Sequence, residues 1–338
     1  MNKLFLLTLV LICFGCRPDK KEIKNDLIES GIKGKVKTVQ RSKFSVYEDF
    51  GEIVKDTLIE KSLMTFNEQG NILESKSPNY HIEVKYDKNG NKAEFILYNI
   101  DGIVEGRGSA KYDDKKNMIE SSEFDSEGKM TKKSKSSYGY NEKGKIINQS
   151  NFNSDDEISN VIKFIYNNQD NLIEEDRYDS ENKLIERKTY KYNDKTIKIE
   201  EKEYSQEGDL YRIITYNDNG DITKEMLYNS KGVAYPKQIF SYDDKGNAIE
   251  RESYFSDGEL DFTEVIKYDN HNNAIETIRY YPNVEEPRRK DTILTEYDHK
   301  NNPIKTIKYE TQILTVDNST YEKQVPKSLT EIQIEYYD

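Results

Sequence analysis

The chain has 338 residues, 34% of them apolar and 34% charged, with no Trp, 26 Tyr and 12 Phe. That is length enough for two ordinary domains but little material for one thick core, which excludes a single deep globule. A net charge of −12 excludes a nucleic-acid binder built on clustered Lys and Arg that release phosphate counterions.

Residues 1–16 read as a targeting segment rather than as fold. Lys3 supplies the positive start, Leu4 to Ile12 an apolar run, and Cys13-Phe14-Gly15-Cys16 follows. Roughly ten apolar residues are too few for a membrane span, which needs about 20. A small residue directly before a Cys at this place resembles the lipobox of bacterial lipoproteins, in the relaxed form of the Bacteroidota type. The resemblance implies that Cys16 is diacylated on sulfur, as with palmitate, and becomes the mature N-terminus. The mature chain then holds a single, lipid-bearing Cys and no disulfide.

Residues 17–33 form a charged tether, "RPDKKEIKND", with Ile23, Leu27 and Ile28 spaced for one short amphipathic helix before Gly31. From Gly34 the pattern turns to strands. Residues 34–66 carry Val36, Val39, Phe44, Val46, Ile53 and Leu63 without a turn signal, and read as an N-terminal cap to the repeats that follow.

The repeats are the strongest signal in the chain. An aromatic, then Asp or Asn, two polar residues, and Gly, Asn or Asp starts at Phe66, Tyr86, Tyr112, Tyr140, Tyr166, Tyr192, Tyr216, Tyr242, Tyr268 and Tyr297. A second turn class starts at Tyr98, Phe124, Phe152, Tyr178, Tyr204, Tyr228, Tyr254 and Tyr280, and the full period is usually 26 residues. The fifth turn residue is Gly70, Gly90, Gly144, Gly220 and Gly246 in the first class, and Gly102, Gly128, Gly208, Gly232 and Gly258 in the second. Elsewhere it is often Asn or Asp: Asp156, Asp170, Asn182, Asn272 and Asn301. These residues tolerate a left-handed backbone, so each turn predicts a β-hairpin loop with φ > 0 at that position.

Hairpins alternating in this way predict an all-β fold: an antiparallel meander of about 20 strands in an extended, twisted or spiral sheet, because each pair adds roughly 20–25° of twist. With four-residue loops, the register pairs Tyr138 with Ile147, Phe164 with Ile173, Tyr190 with Ile199, Phe240 with Ile249 and Ile266 with Ile275. Residues 34–312 make the repeat domain with its N-terminal cap. Residues 313–338, ending in the alternating "SLTEIQIEYYD", make closing strands over the far edge.

The motif "YDDKGNAIE" and its sister "YDKNGNKAE" resemble the YD repeats of the RHS family, over roughly residues 60–310. In that family such repeats build long antiparallel sheets that spiral into hollow shells. The second class, as in "YFSDGEL", resembles the degenerate MORN-type repeats of small bacterial lipoproteins and antitoxins. No RHS core signature or C-terminal toxin domain is seen, so the resemblance implies the sheet and not a toxin activity.

Chemistry is scarce. His271 and His299 fall in successive first-class turns and read as solvated turn residues, and His81 stands alone; neither a metal site nor any cofactor is expected. "YNDNGDI" alternates Asn217, Asn219 and Asp221 like a calcium loop, but lacks the later Glu and flanking helices. No nucleophile with a base is arranged, so no catalytic residue is assigned. Tyr178, Tyr204, Tyr228 and Tyr254, in register, are the candidate binding residues. The expected function is that of a lipid-anchored, non-enzymatic envelope scaffold, at the periplasmic or cell-surface face of the outer membrane, binding a protein or glycan. The alternative is an immunity or antitoxin-like protein.

Overall fold

A computed structural model describes residues 25–282, 289–316 and 319–338. The segments read as signal peptide and lipobox, with Cys16, and residues 17–24 of the expected tether lie outside the described residues. The chain starts with the one-turn helix α1 (Asp26–Glu29), capped by Asn25, whose side-chain oxygen accepts from the Ile28 N–H at 2.8 Å.

Twenty-two strands follow among the described residues, all in one sheet. The first are β1 (Val36–Asp49), β2 (Glu52–Phe66), β3 (Ile72–Ser77), β4 (Tyr80–Tyr86), β5 (Lys92–Tyr98), β6 (Val104–Tyr112), β7 (Met118–Asp125) and β8 (Met130–Tyr140). Next come β9 (Ile146–Phe152), β10 (Ile158–Tyr166), β11 (Leu172–Asp179), β12 (Leu184–Tyr192), β13 (Lys198–Tyr204), β14 (Leu210–Tyr216) and β15 (Ile222–Tyr228). The last are β16 (Ala234–Tyr242), β17 (Ala248–Tyr254), β18 (Leu260–Tyr268), β19 (Ala274–Tyr280), β20 (Arg289–Tyr297), β21 (Pro303–Val316) and β22 (Ser319–Tyr336).

Every strand pairs antiparallel with its successor, and β22 returns to pair with β1 from Val36↔Tyr336 to Phe44↔Leu329. The sheet is therefore a closed barrel, not the extended or spiral sheet that the repeat predicts. Accumulated twist brings the ends together, and their pairing satisfies two rows of backbone groups that a spiral would leave exposed. The segments read as caps do not cover free edges: they are the long hairpins β1–β2 and β21–β22, and they pair with each other.

The register also differs from the four-residue-loop expectation. In the β4–β5 hairpin the Gly90 N–H donates to Asp87 O at 3.0 Å and the Asp87 N–H to Asn91 O at 2.9 Å. That leaves a three-residue loop, and a bulge follows between Tyr86↔Lys92 and Lys85↔Glu94. Loop and bulge together shift the pairing by two residues. Tyr138 thus faces Gln149, Phe164 faces Glu175, Tyr190 faces Glu201, Phe240 faces Arg251 and Ile266 faces Thr277, rather than the β-branched partners expected. An even shift keeps each side chain on its own face.

There is no single core. One buried cluster gathers Leu27, Ile32, Val36, Val39 and Phe66 around α1. A second holds Ile82, Val84, Phe95, Leu97 and Ala110. A third holds Ile146, Ile162, Phe164 and Leu172. Each spans neighbouring strands only. From β11 to β19 the same face carries ion pairs instead, such as Arg212 with Glu203 and Glu225, and Glu264 with Arg251 and Arg279. The closed wall thus has two partly wet faces, as its tyrosine-rich composition requires.

Candidate functional site

Alternation of hairpins gives the barrel two rims. The rim of first-class turns is held by the consensus residues themselves. In "YDKNGN", Asp87 Oδ1 accepts from the N–H groups of Asn89 at 2.8 Å and Asn91 at 2.9 Å, and Asn91 Nδ2 donates to Asp87 Oδ2 at 2.9 Å. Gly90 has φ +80°, a conformation that costs an L side chain roughly 1–2 kcal/mol. The other nine sequence-singled glycines also have positive φ, as do Asp156, Asp170, Asn182, Asn272 and Asn301. Lys116 at φ 67° and Thr196 at φ 62° occupy the same turn position without the usual residue type.

Most motif tyrosines reach back about one repeat, whereas Tyr216 donates to Glu201 on the neighbouring strand. Tyr112, Tyr166, Tyr192 and Tyr268 donate their hydroxyls to the carbonyls of Lys92, Ile146, Leu172 and Ala248 at 2.8–2.9 Å. Tyr140, Tyr297 and Tyr336 instead donate to the turn carboxylates Asp113, Asp269 and Asp298. Lys115 and Lys300 lie over the rings of Tyr140 and Tyr336 at 3.7 and 3.6 Å. Burial, with the Asp87 charge behind it, pushes Tyr112 up to about 12. Hydrogen bonds donated by the side-chain amide and the backbone N–H of Asn247 hold the Asp243 carboxylate below the usual range. Most polar groups of this motif are thus committed to turn and ladder, with the Asn171 side-chain amide an exception.

The histidines of this rim are built into the same ladder. His271 stacks on Tyr297 with centroids 4.4 Å apart, and His299 lies edge-on to Tyr336 at 5.9 Å. Asn217, of the calcium-like stretch, spends its side-chain oxygen on the N–H groups of Asn219 and Asp221, both at 2.9 Å. Helix α1 sits here too: Leu27 N–H donates to Gly70 O at 2.9 Å, and Asp26 binds the Tyr86 hydroxyl and the Lys92 ammonium at 3.0 and 2.7 Å.

At the second rim stand the four candidate tyrosines, each half-buried. They are spaced two strands, hence about 9.6 Å, apart. Tyr178 donates to Asp176 Oδ2 at 3.1 Å beneath Lys163, whose ammonium is 4.3 Å from the ring centre, and Tyr254 donates to Glu252 Oε2 at 2.5 Å. Asp176 in turn takes a bidentate pair of 2.7 Å bonds from Arg187, which faces Tyr204 across the sheet.

Sequence reasoning missed the exposed aliphatic and aromatic residues of this rim. Ile100, Ile103, Val233 and Phe255, all in second-class loops, are 74%, 63%, 57% and 52% exposed. The β1–β2 hairpin shows Tyr47, Leu58 and Ile59, with Phe50 at its tip fully exposed at φ 47°. First-rim loops carry Asp, Asn, Glu, Lys or His in these places, with Ile197 the apolar exception. The signal was legible in "NIDGI", "NSKGV" and "FSDGE", where apolar residues replace the polar ones of a solvated turn.

A third group emerges from pairing. Glu74 on β3 faces Glu83 on β4, and His81 lies between their carboxylates, with Nε2 2.8 Å from Glu74 Oε1 and 3.6 Å from Glu83 Oε1. Spacing along the chain does not reveal this group, because "LESKSPNYHIE" folds back on itself only through the β3–β4 turn.

No known family model matches the chain, and no curated protein matches it. Several solved structures are similar at low identity. The Tc holotoxin pore of Photorhabdus luminescens matches 84% of this chain at 15% identity with a TM-score of 0.32, and 16% of that chain is covered. A TcdB2–TccC3 structure without the hypervariable C-terminal region matches 85% at 14% identity with a TM-score of 0.29, and 19% of it is covered. A porin-like protein from Bacteroides uniformis matches 89% of this chain and 98% of its own, at 10% identity and a TM-score of 0.25. The present chain thus spans under a fifth of the two toxin chains. Likenesses this distant bear on neither partner nor activity.

Proposed function

We propose that this protein is a lipid-anchored, non-enzymatic envelope scaffold that presents the second rim of its barrel to a protein partner. The contrast between the rims carries the reading. At the first, the carboxylates and hydroxyls of the loops are largely consumed by the turns, and Ile28 of α1 is the apolar side chain that stands out; at the second, Phe50, Ile100, Ile103, Val233 and Phe255 stand in water. Exposed apolar side chains gathered at one end of a molecule mark a contact surface.

Charge on both faces of the wall argues for a barrel standing in water rather than in lipid. Arg187 and Lys188 are successive residues in the middle of β12 and so point to opposite faces. A lipid-facing Arg or Lys at the bilayer midplane costs about 2–4 kcal/mol, and Lys202 on one face and Arg251 on the other would add to that cost. Attachment through Cys16 fits the geometry: the described chain starts at Asn25 on the first rim, within the roughly 30 Å that nine residues reach. An anchored barrel would then hold its apolar rim away from the membrane.

Photocrosslinking amino acids at positions 100 and 255, against 88 and 245 on the first rim, test the reading in intact cells. Discrete protein adducts from the second-rim positions alone are expected. Adducts equally from both rims, or from neither, would overturn it.

A further inference from the structure

We propose that Glu74, His81 and Glu83 form a site for a borderline divalent transition metal of the Zn²⁺ class. Two like charges directly opposite each other in a sheet are destabilising unless something bridges them, yet Glu74 and Glu83 are such a pair. One ligand atom from each of the three residues falls within 4.8 Å of the others. Ligands at about 2.0–2.1 Å in a tetrahedral shell are about 3.3 Å apart, so rotamer adjustments of a few tenths of an ångström close the observed 2.8 and 3.6 Å separations onto one ion.

Two further observations point the same way. His81 Nε2 is shut off from solvent, and its nearest partner, Glu74 Oε1 at 2.8 Å, is poorly aligned for a hydrogen bond. A buried ring nitrogen in that state is under-satisfied, and a cation in the ring plane would complete it. The ring is also held in place. It stacks on Tyr98 with centroids 4.7 Å apart and planes 18° from parallel, while the Tyr98 hydroxyl donates to Glu83 Oε2 at 3.1 Å. The oxygen left to Glu83 is Oε1, the one nearer His81. Orientation of ligands by such outer partners is the usual support of a metal site.

The donor set selects the metal class. One imidazole and two carboxylates suit Zn²⁺, Co²⁺ or Ni²⁺, whereas Ca²⁺ requires six to eight oxygens. Three protein ligands leave a position for water. Lys76 competes, its ammonium 2.6 Å from Glu74 Oε1, but that side chain is 47% exposed and free to swing into solvent when a divalent ion replaces it.

The test is calorimetric titration of the purified full chain, in detergent and without a histidine tag, with Zn²⁺ alone, together with the visible spectrum of its Co²⁺ complex. One saturable equivalent and a low-symmetry Co²⁺ spectrum are expected. His81→Ala and Glu83→Gln should each weaken binding by about 100-fold or more, and Tyr98→Phe by about tenfold, as for an outer-shell partner. Lys76→Ala should tighten it, because the ammonium that competes for Glu74 is gone. Circular dichroism checks that each variant is folded, and Glu74→Gln replaces any that is not. Absence of saturable uptake, uptake unchanged in folded His81→Ala, or loss of uptake in the His271→Ala, His299→Ala double variant would overturn the assignment.

Discussion

Thr196 offers a substitution in which shortening a side chain should stabilise the protein. It occupies the fifth position of a first-class turn at φ 62°, where Gly220 stands one repeat later at φ 87°. A left-handed backbone costs an L residue roughly 1–2 kcal/mol, and a β-branched one is the least tolerant. Glycine removes that strain but is freer in the unfolded chain, which returns about 0.5–1 kcal/mol. Thr196→Gly should therefore stabilise by about 0.5–1 kcal/mol, and Gly220→Thr should destabilise by a similar amount. Gly220 tests the backbone cleanly, because an added Cβ meets only Ile197 Cγ2 at an ordinary 3.8 Å. Unfolding entropy of about 2.1 cal/mol/K per residue implies that ~1 kcal/mol moves the melting midpoint of so long a chain by only about 1.5 °C. Urea titration, with a slope of about 3 kcal/mol/M, resolves the same change as about 0.3 M. A lowered midpoint for Thr196→Gly, or a raised one for Gly220→Thr, would refute the turn geometry.

Tyr192→Phe removes a hydroxyl bond and leaves the Leu172 carbonyl, 2.8 Å away, without that donor; a loss of about 1–2 kcal/mol in urea unfolding is expected. Gly108→Ala should cost more, about 2–3 kcal/mol, because the added Cβ would lie 2.0 Å from the ring of Phe95, which is 2% exposed. Phe95→Ala in the same chain should make Gly108→Ala nearly neutral, and persistence of its full cost would contradict the packing. Stability should fall at both ends of the pH scale. Asp87, Asp113, Asp243, Asp269 and Asp298 all titrate below 3.8 when folded, so their contribution is complete above about pH 4 and is lost as pH drops through their folded values. Tyr112 and Tyr297 are raised from 10.0 to about 12, so their contribution is complete below pH 10 and is lost between 10 and 12. The part of the tyrosinate absorbance that Tyr112→Phe and Tyr297→Phe remove should appear only with unfolding, and its appearance near pH 10 in the folded protein would contradict the alkaline limb. Finally, Cys16→Ser should abolish lipid labelling and release the protein from membranes; continued labelling would place the anchor elsewhere.

Much of this protein was written in local sequence. The period, the two turn classes and the left-handed fifth position follow from the chemistry of a few consecutive residues: Asp or Asn bonds the turn N–H groups, and Gly accepts positive φ. Local rules also carried the parity of the strands, which survived a two-residue register error because the error was even. The register itself depended on a bulge whose extra residue has no composition of its own.

Tertiary structure alone decided the rest. Closure rests on β1 meeting β22 nearly 300 residues away, a pairing that no repeat unit encodes, since every unit sees only its neighbours. The tyrosine ladder likewise joins most motifs to the one before them, so the role of the hydroxyl is invisible within a single motif. Glu74, His81 and Glu83 are brought together by a turn with neither of the two repeat signatures. The apolar rim becomes a surface only when the loops are gathered at one end of a closed wall. In each case the deciding interaction is between residues whose separation is set by strand pairing in space, while sequence patterning reports only which way each residue faces.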